Sequence, residues 1–241
     1  MTWERVIGAC FELTALDQLG QLAEVERRSS EHLRDAAARG DLYGQIVFSQ
    51  FLAQARVAGG DLASARQHAR HGLDRWTRHS FTLQHFYALR VEVTCDLYEG
   101  DATRALAHLM QSWRAIEKAG LLRNPISRID ALLLRARCAL ATGDRPHALA
   151  VARRLTTETR PDVPLHVRWI RARAGRNSTS ARTELRAAAA EFTAAGMDLH
   201  AACLAYRADA DSPPDSGDPR VTALVAAGIR EPAAWLRCFV P

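Results

Sequence analysis

A glycine–aspartate pair recurs along the middle of the chain and most constrains its fold. Gly60-Asp61, Gly100-Asp101 and Gly143-Asp144 lie 40 and then 43 residues apart, and each aspartate is followed four residues later by alanine. Glycine adopts the left-handed conformation that ends a helix, and aspartate caps the next helix by accepting hydrogen bonds from its free N–H groups. A period of this length predicts an α-solenoid of antiparallel helix pairs.

Apolar and small residues recur at helical spacing on both sides of these turns. One stripe runs from Leu62 through Ala65 to Trp76, and another from Ala105 to Ile116. Further helices are predicted at 3–19, 21–38, 46–58, 81–98, 125–141, 165–174 and 181–195. The sequence therefore predicts about five helix pairs followed by a C-terminal helical cap.

Composition agrees with an all-α fold. The chain has 44 alanines and only 7% aromatic residues, a balance that favours helices over strands. It has no apolar run long enough for a transmembrane helix, and its five cysteines are far apart without a CxxC pair. We expect a cytoplasmic protein.

The predicted domain organisation changes near residue 210. Residues 1–210 are predicted as the helical repeat domain, and the Pro-, Ser-, Gly- and Asp-rich stretch 211–219 as a linker. Residues 220–241 contain two short predicted helices, which we expect to cover the apolar face of the last repeat.

Positive charge is concentrated in residues 121–180, which carry a net charge of +8. Arg128 and Arg135 are seven apart and share a helix side, as do Arg153 and Arg160. Arg168 and Arg171 are neighbours at i, i+3. Arginine binds carboxylates and phosphates in bidentate fashion. The predicted partner-binding residues are Arg128, Arg135, Arg168 and Arg171.

Residues with the spacing of a catalytic or cofactor site are missing from the sequence. It contains no P-loop, no glycine-rich nucleotide motif, no kinase H-R-D or D-F-G motif and no nucleophile elbow. His68 and His71 lack a third metal ligand at helical spacing and are expected to be surface histidines. We therefore expect a non-enzymatic chain with no catalytic residues, cofactor or metal.

Several longer segments resemble a known family. They include Arg39-Gly-Asp-Leu-Tyr43, Phe81-Thr-Leu-Gln-His-Phe-Tyr-Ala-Leu89, Asp96-Leu-Tyr-Glu-Gly-Asp101 and Gly228-Ile-Arg-Glu-Pro232. The segments look like the tetratricopeptide-like C-terminal helical region of bacterial serine/threonine kinase–AAA ATPase fusion proteins. This resemblance implies a bacterial regulatory protein whose kinase and ATPase domains lie upstream of the residues present here.

Three functions follow from these patterns. The first is a non-catalytic interaction and signalling scaffold whose concave face holds a protein or acidic peptide segment. The second is a fragment of an ATP-dependent kinase, a case in which Val6, Ile7, Cys10 and Phe11 would be uncovered. The third is nucleic-acid binding through the basic segment 121–180. Trp169 is the one aromatic residue of this segment that could stack on a base.

Overall fold

The computed structural model describes residues 2–76, 80–175, 178–209 and 218–241. The described residues are 81% helix and contain no strand, so the all-α prediction is confirmed. Of the predicted linker, only Asp218 and Pro219 lie within these ranges. Within them, no helix combines the length and the apolar character needed to cross a bilayer.

Helices follow one another with short turns, and helices adjacent in sequence pack side by side. The first half of the chain contains α1 (Thr2–Leu19), α2 (Leu22–Ala38), α3 (Leu42–Ala58), α4 (Leu62–Arg70), the single turn α5 (Leu73–Trp76), α6 (Leu83–Glu99) and α7 (Ala102–Lys118). After a 3-10 turn at Leu121–Arg123, the second half contains α8 (Pro125–Ala141), α9 (Arg145–Leu155), α10 (Val163–Ala174), α11 (Thr179–Ala194), α12 (Asp198–Ala208), α13 (Pro219–Ala226) and α14 (Pro232–Phe239).

The Gly-Asp turns form as the sequence predicts. Gly100 has a φ of +88°, and the Asp101 side chain accepts a hydrogen bond from the Arg104 N–H at 3.0 Å. The Asp101 N–H donates to the carbonyl oxygen of Asp96 at 2.9 Å, which closes the end of α6. The turns at Gly60 and Gly143 repeat both bonds. The alanines that follow, Ala65, Ala105 and Ala148, are fully buried, which lets the paired helices approach closely.

The predicted stripe from Leu62 to Trp76 is not one helix, which corrects the sequence prediction. α4 ends at Arg70, and Gly72 has a φ of +73°. Gly72 lies against α3, where an added Cβ would stand 2.8 Å from Cγ1 of Ile46. The close contact and the left-handed backbone together turn the chain, since only glycine fits both.

A buried carboxylate joins three helices near the middle of the fold. Asp96 of α6 is 1% exposed and accepts hydrogen bonds from Arg66 of α4 at 3.1 Å and Arg104 of α7 at 2.8 Å. His108 Nδ1 lies 2.7 Å from the other carboxylate oxygen of Asp96. These bonds fix both α4 and α7 to α6.

The helix α14 packs against helices from the middle of the chain. Its contacts are with α6, α8, α12 and α13. Arg237 donates from Nε and Nη2 to the carbonyl oxygen of Tyr98, at 3.1 and 2.8 Å. Arg207 donates to the carbonyl oxygens of Leu236 and Val240. The predicted terminal cap is therefore divided, because α13 lies on α12 whereas α14 lies mainly on α6.

Candidate functional site

Arg128, the first of the predicted partner-binding residues, is paired within the chain. Its Nε and Nη2 donate to the two carboxylate oxygens of Glu158, each at 2.6 Å, and Nη1 donates to the carbonyl oxygen of Leu122 at 3.0 Å. This bidentate bond holds the pKa of the Glu158 carboxyl below its ordinary value. Arg128 therefore ties the start of α8 to the segment after α9.

Arg135 lies against α7. Its guanidinium carbon is 4.6 Å from the centroid of the Trp113 ring, a cation–π contact. Burial lowers the pKa of Arg135, and the neighbouring positive charge of Arg154 lowers it further. Like Arg128, Arg135 contacts its own fold.

Arg168 and Arg171 share a shallow hollow between α10 and α11, as their i, i+3 spacing predicts. Arg168 donates from Nε to Glu184 at 2.9 Å and is also bonded to Glu191. Arg171 is exposed and has no carboxylate within 4 Å among the described residues. The structure thus brings these two together and places them apart from Arg128 and Arg135.

Other exposed arginines in the basic segment also lack an acidic partner. Each of them has no carboxylate within 4 Å in the described ranges, and α9 carries three of the set. Including Arg171, the exposed arginines are Arg123, Arg145, Arg153, Arg154 and Arg171.

A second feature, which the sequence did not predict, is a charged cavity of about 80 Å³ on the other side of α8. We call it the central cavity. Six helices with different positions in the chain contribute to its wall, and Phe239 of α14 also borders it. The charged and polar residues of the wall are Asp17 of α1, Gln54 of α3, Arg90 of α6, Asp130 and Arg137 of α8, Arg160, Asp162 and His166 around the start of α10, and His200 of α12.

Two ion pairs contribute to the wall of the central cavity. Arg90 Nη2 lies 3.2 Å from Asp17, whereas Arg160 donates two hydrogen bonds to Asp162 at 2.6 and 2.8 Å. Asp130 lies between them, 3.6 Å from Arg90 and 3.9 Å from Arg160. Burial raises the pKa of the Asp130 carboxyl despite these two arginines, so its charge is only partly compensated.

Arg137 is the cation of this wall that has no ion pair. No carboxylate in the described ranges lies within 4 Å of it, and its Nε is buried without a hydrogen-bond partner. Its guanidinium carbon stands 4.7 Å from the centroid of the Phe239 ring. Burial lowers the pKa of Arg137 because desolvation penalises the charged form.

Two neutral histidines complete the wall. Trp169 Nε1 donates to His166 Nδ1 at 3.1 Å, which leaves Nε2 as the protonated nitrogen facing Asp162 at 3.2 Å. The His200 ring lies 5.5 Å from His166 and 4.8 Å from Phe239. Burial holds the pKa of His200 well below its ordinary value, so this ring is uncharged at neutral pH.

Unsatisfied polar atoms are concentrated in the central cavity. Buried groups in folded proteins are almost always hydrogen-bonded, to the protein or to a bound molecule. Five atoms of the wall have no hydrogen-bond partner in the part of the chain that the structure describes: Nε of Arg90, Nε of Arg137, Nη1 of Arg160, Nδ1 of His200 and Oε1 of Gln54. The cavity therefore has the donors and the room to hold a small polar molecule.

The residues of the central cavity carried only a weak sequence signal. Asp130 and Arg137 are seven apart in α8, the same spacing as Arg128 and Arg135, so they mark the opposite side of one helix. Their flanking residues Ile129 and Leu134 are buried. Charged residues among buried neighbours at this spacing could have indicated an internal site.

Comparisons with protein-family models, with curated proteins and with solved structures find no match to this chain.

Proposed function

We propose that the chain is a non-catalytic protein-interaction module that binds an acidic segment of a partner protein. In this proposal the helix pairs form an α-solenoid of tetratricopeptide-like repeats. The repeated Gly-Asp turns and the packing of consecutive helices support that architecture. The observation that carries the function is a set of exposed arginines with no carboxylate within 4 Å among the described residues: Arg123, Arg145, Arg153, Arg154 and Arg171.

The position of α14 supports a partner site outside the central cavity. α14 packs on α6, α8 and α12, and the exposed arginines lie outside the lining of the central cavity. A partner segment can therefore contact these arginines without entering the cavity. Their guanidinium groups form bidentate bonds with carboxylates, which favours an acidic peptide.

A nucleic-acid partner has less support from the same surface. Non-specific binding to single strands combines arginines with exposed aromatic rings on which bases stack. Trp169, the one aromatic residue of segment 121–180, is 2% exposed. The link to upstream kinase and ATPase domains stays a prediction from the sequence resemblance.

Binding of labelled peptides by fluorescence anisotropy tests the proposal. We expect an Asp/Glu-rich peptide to bind and an Asn/Gln peptide of equal length not to bind. The triple variant Arg153→Glu, Arg154→Glu and Arg171→Glu should weaken binding by about tenfold or more, since several surface charge pairs become repulsive. Arg34→Glu is the matched control, because Arg34 is an exposed arginine of α2 outside the basic segment and no described carboxylate pairs with it.

Three results would contradict this proposal. Equal binding of both peptides would show that the arginines do not select carboxylates. Tighter binding of a short DNA duplex, with an affinity that falls steeply as salt rises, would favour nucleic-acid binding. Measurable ATP turnover that copurifies with the chain would contradict the non-catalytic part.

A further inference from the structure

We infer that the central cavity binds a small molecule with a carboxylate or phosphate group, held by Arg137, Arg90 and Arg160. This inference goes beyond the proposed function. It concerns different residues, because none of the exposed arginines lines the cavity.

The chemistry of the unsatisfied atoms indicates an anion. Three of the five atoms are guanidinium nitrogens, and an arginine N–H can only donate. A ligand that satisfies them must present acceptor oxygens, and an oxyanion has several. Hydrogen bonds between a guanidinium and an anionic oxygen are about twice as strong as neutral ones. Gln54 Oε1 is a hydrogen-bond acceptor, so it can accept a hydrogen bond from a protonated oxygen of the same molecule.

The charge distribution places the anion next to Arg137. Asp17 pairs with Arg90, and Asp162 pairs with Arg160, so each of these two arginines already has a carboxylate partner. Arg137 is equally enclosed but has no carboxylate within 4 Å in the described ranges. An unpaired buried charge is costly, and a bound anion would remove that cost. Asp130 also borders the cavity, but it lies 3.6 Å from Arg90 and 3.9 Å from Arg160, and these two positive charges offset its repulsion of the ligand.

The size of the central cavity limits the ligand. A water molecule needs on the order of 10–15 Å³ of such space, so about 80 Å³ holds several waters or one small oxyanion. The ring of Phe239 packs against both Arg137 and His200 at the border of this space. An acid of only a few heavy atoms fits, whereas a nucleotide does not.

Thermal unfolding and calorimetric titration test the inference with defined probes. Inorganic phosphate and acetate are the two arms, each compared with sodium chloride at equal ionic strength, and they distinguish a phosphate from a carboxylate ligand. We expect saturable stabilisation by at least one of them. Arg137→Gln should weaken that binding by about tenfold or more, since a charged hydrogen-bond donor is lost. Arg34→Gln, at an exposed arginine of α2 outside both the central cavity and the basic segment, should leave it unchanged.

Folding of the variant can be separated from loss of the site. In chloride alone, Arg137→Gln should unfold at the same temperature as the native chain or higher, because a desolvated charge has been removed. Phe239→Leu keeps Arg137 but removes the ring that packs against its guanidinium group. This variant should bind the same anion with faster dissociation. The inference is overturned if neither anion stabilises the native chain beyond chloride, or if Arg137→Gln folds and binds as well as the native chain does.

Discussion

The guanidinium of Arg137 in α8 lies against the ring of Phe239 in α14, with 4.7 Å between the guanidinium carbon and the ring centroid. The two residues are about a hundred positions apart in the chain. Their contact connects α14 to the one arginine of the central cavity that has no carboxylate within 4 Å among the described residues. It also means that the cavity wall depends on where α14 packs.

Gly72→Ala should destabilise the fold more than the same change at Gly40. Both glycines have positive φ, but an added Cβ at Gly72 would stand 2.8 Å from Ile46, whereas at Gly40 it meets nothing within 4 Å. We expect Gly40→Ala to cost about 1 kcal/mol, and Gly72→Ala about 1–3 kcal/mol more through overpacking. Urea unfolding of the two variants measures the difference, and equal losses would contradict the contact with α3.

Asp144→Ala should lower the free energy of unfolding by about 1 kcal/mol, because the Asp144 side chain accepts the His147 N–H at 3.1 Å and caps α9. Asp144→Asn retains an acceptor oxygen and is the control, with an expected loss of only a few tenths of a kcal/mol. Chemical denaturation compares the two. A loss of the same size in both variants would point to the charge and not to the cap.

Asp96→Ala should destabilise the chain by about 2–3 kcal/mol, since the buried carboxylate bonds Arg66 and Arg104 and lies beside His108. The arginines are partly exposed and can turn to water, which limits the loss. Glu99→Ala, at a carboxylate of the same cluster that is 37% exposed, should cost less than about 1 kcal/mol. Reversal of this order would show that the buried position contributes little.

The free energy of unfolding should fall as the pH drops from about 7 to about 5.5, in part through His200. Its folded-state pKa lies well below the ordinary value of 6.5, so the unfolded chain takes up the proton first as the pH falls. The stability that His200 contributes is therefore present above pH 6.5 and is lost below it. His200→Phe, which keeps an aromatic ring beside Phe192, should flatten the dependence by at most about 1.4 kcal/mol per pH unit.

Urea unfolding at both pH values checks the effect of His200. His71→Gln provides the control, because His71 is exposed and does not border the central cavity. A pH dependence that His200→Phe leaves as steep as in the native chain would contradict the role of this buried ring.

The Gly-Asp turns and the helix boundaries could be predicted because their causes are local. Gly100 ends one helix and Asp101 caps the next through bonds within a few residues. The break after Arg70 could not be predicted in this way, since it depends on the contact between Gly72 and Ile46. Local periodicity has no information about such distant neighbours.

The central cavity was hidden from the sequence for the same reason. Spacing shows that Arg135 and Arg137 lie on opposite sides of α8, but not which side the other helices cover. In the structure Arg135 meets Trp113, whereas Arg137 borders the cavity. Arg135 was predicted as a site residue from its charge and its seven-residue spacing from Arg128, and Asp130 and Arg137 have the same spacing on the other side of α8.

Arg237 bonds to Tyr98, a residue 139 positions earlier, and this separation imposes an order on biosynthesis. The hairpins before α14 can form while the chain is still being translated, since each contacts its neighbour in sequence. The central cavity lacks the part of its wall that Phe239 forms until residues 232–241 emerge from the ribosome. A nascent chain therefore exposes the arginines of the central cavity to the surrounding solution. A small acid can reach them before α14 docks.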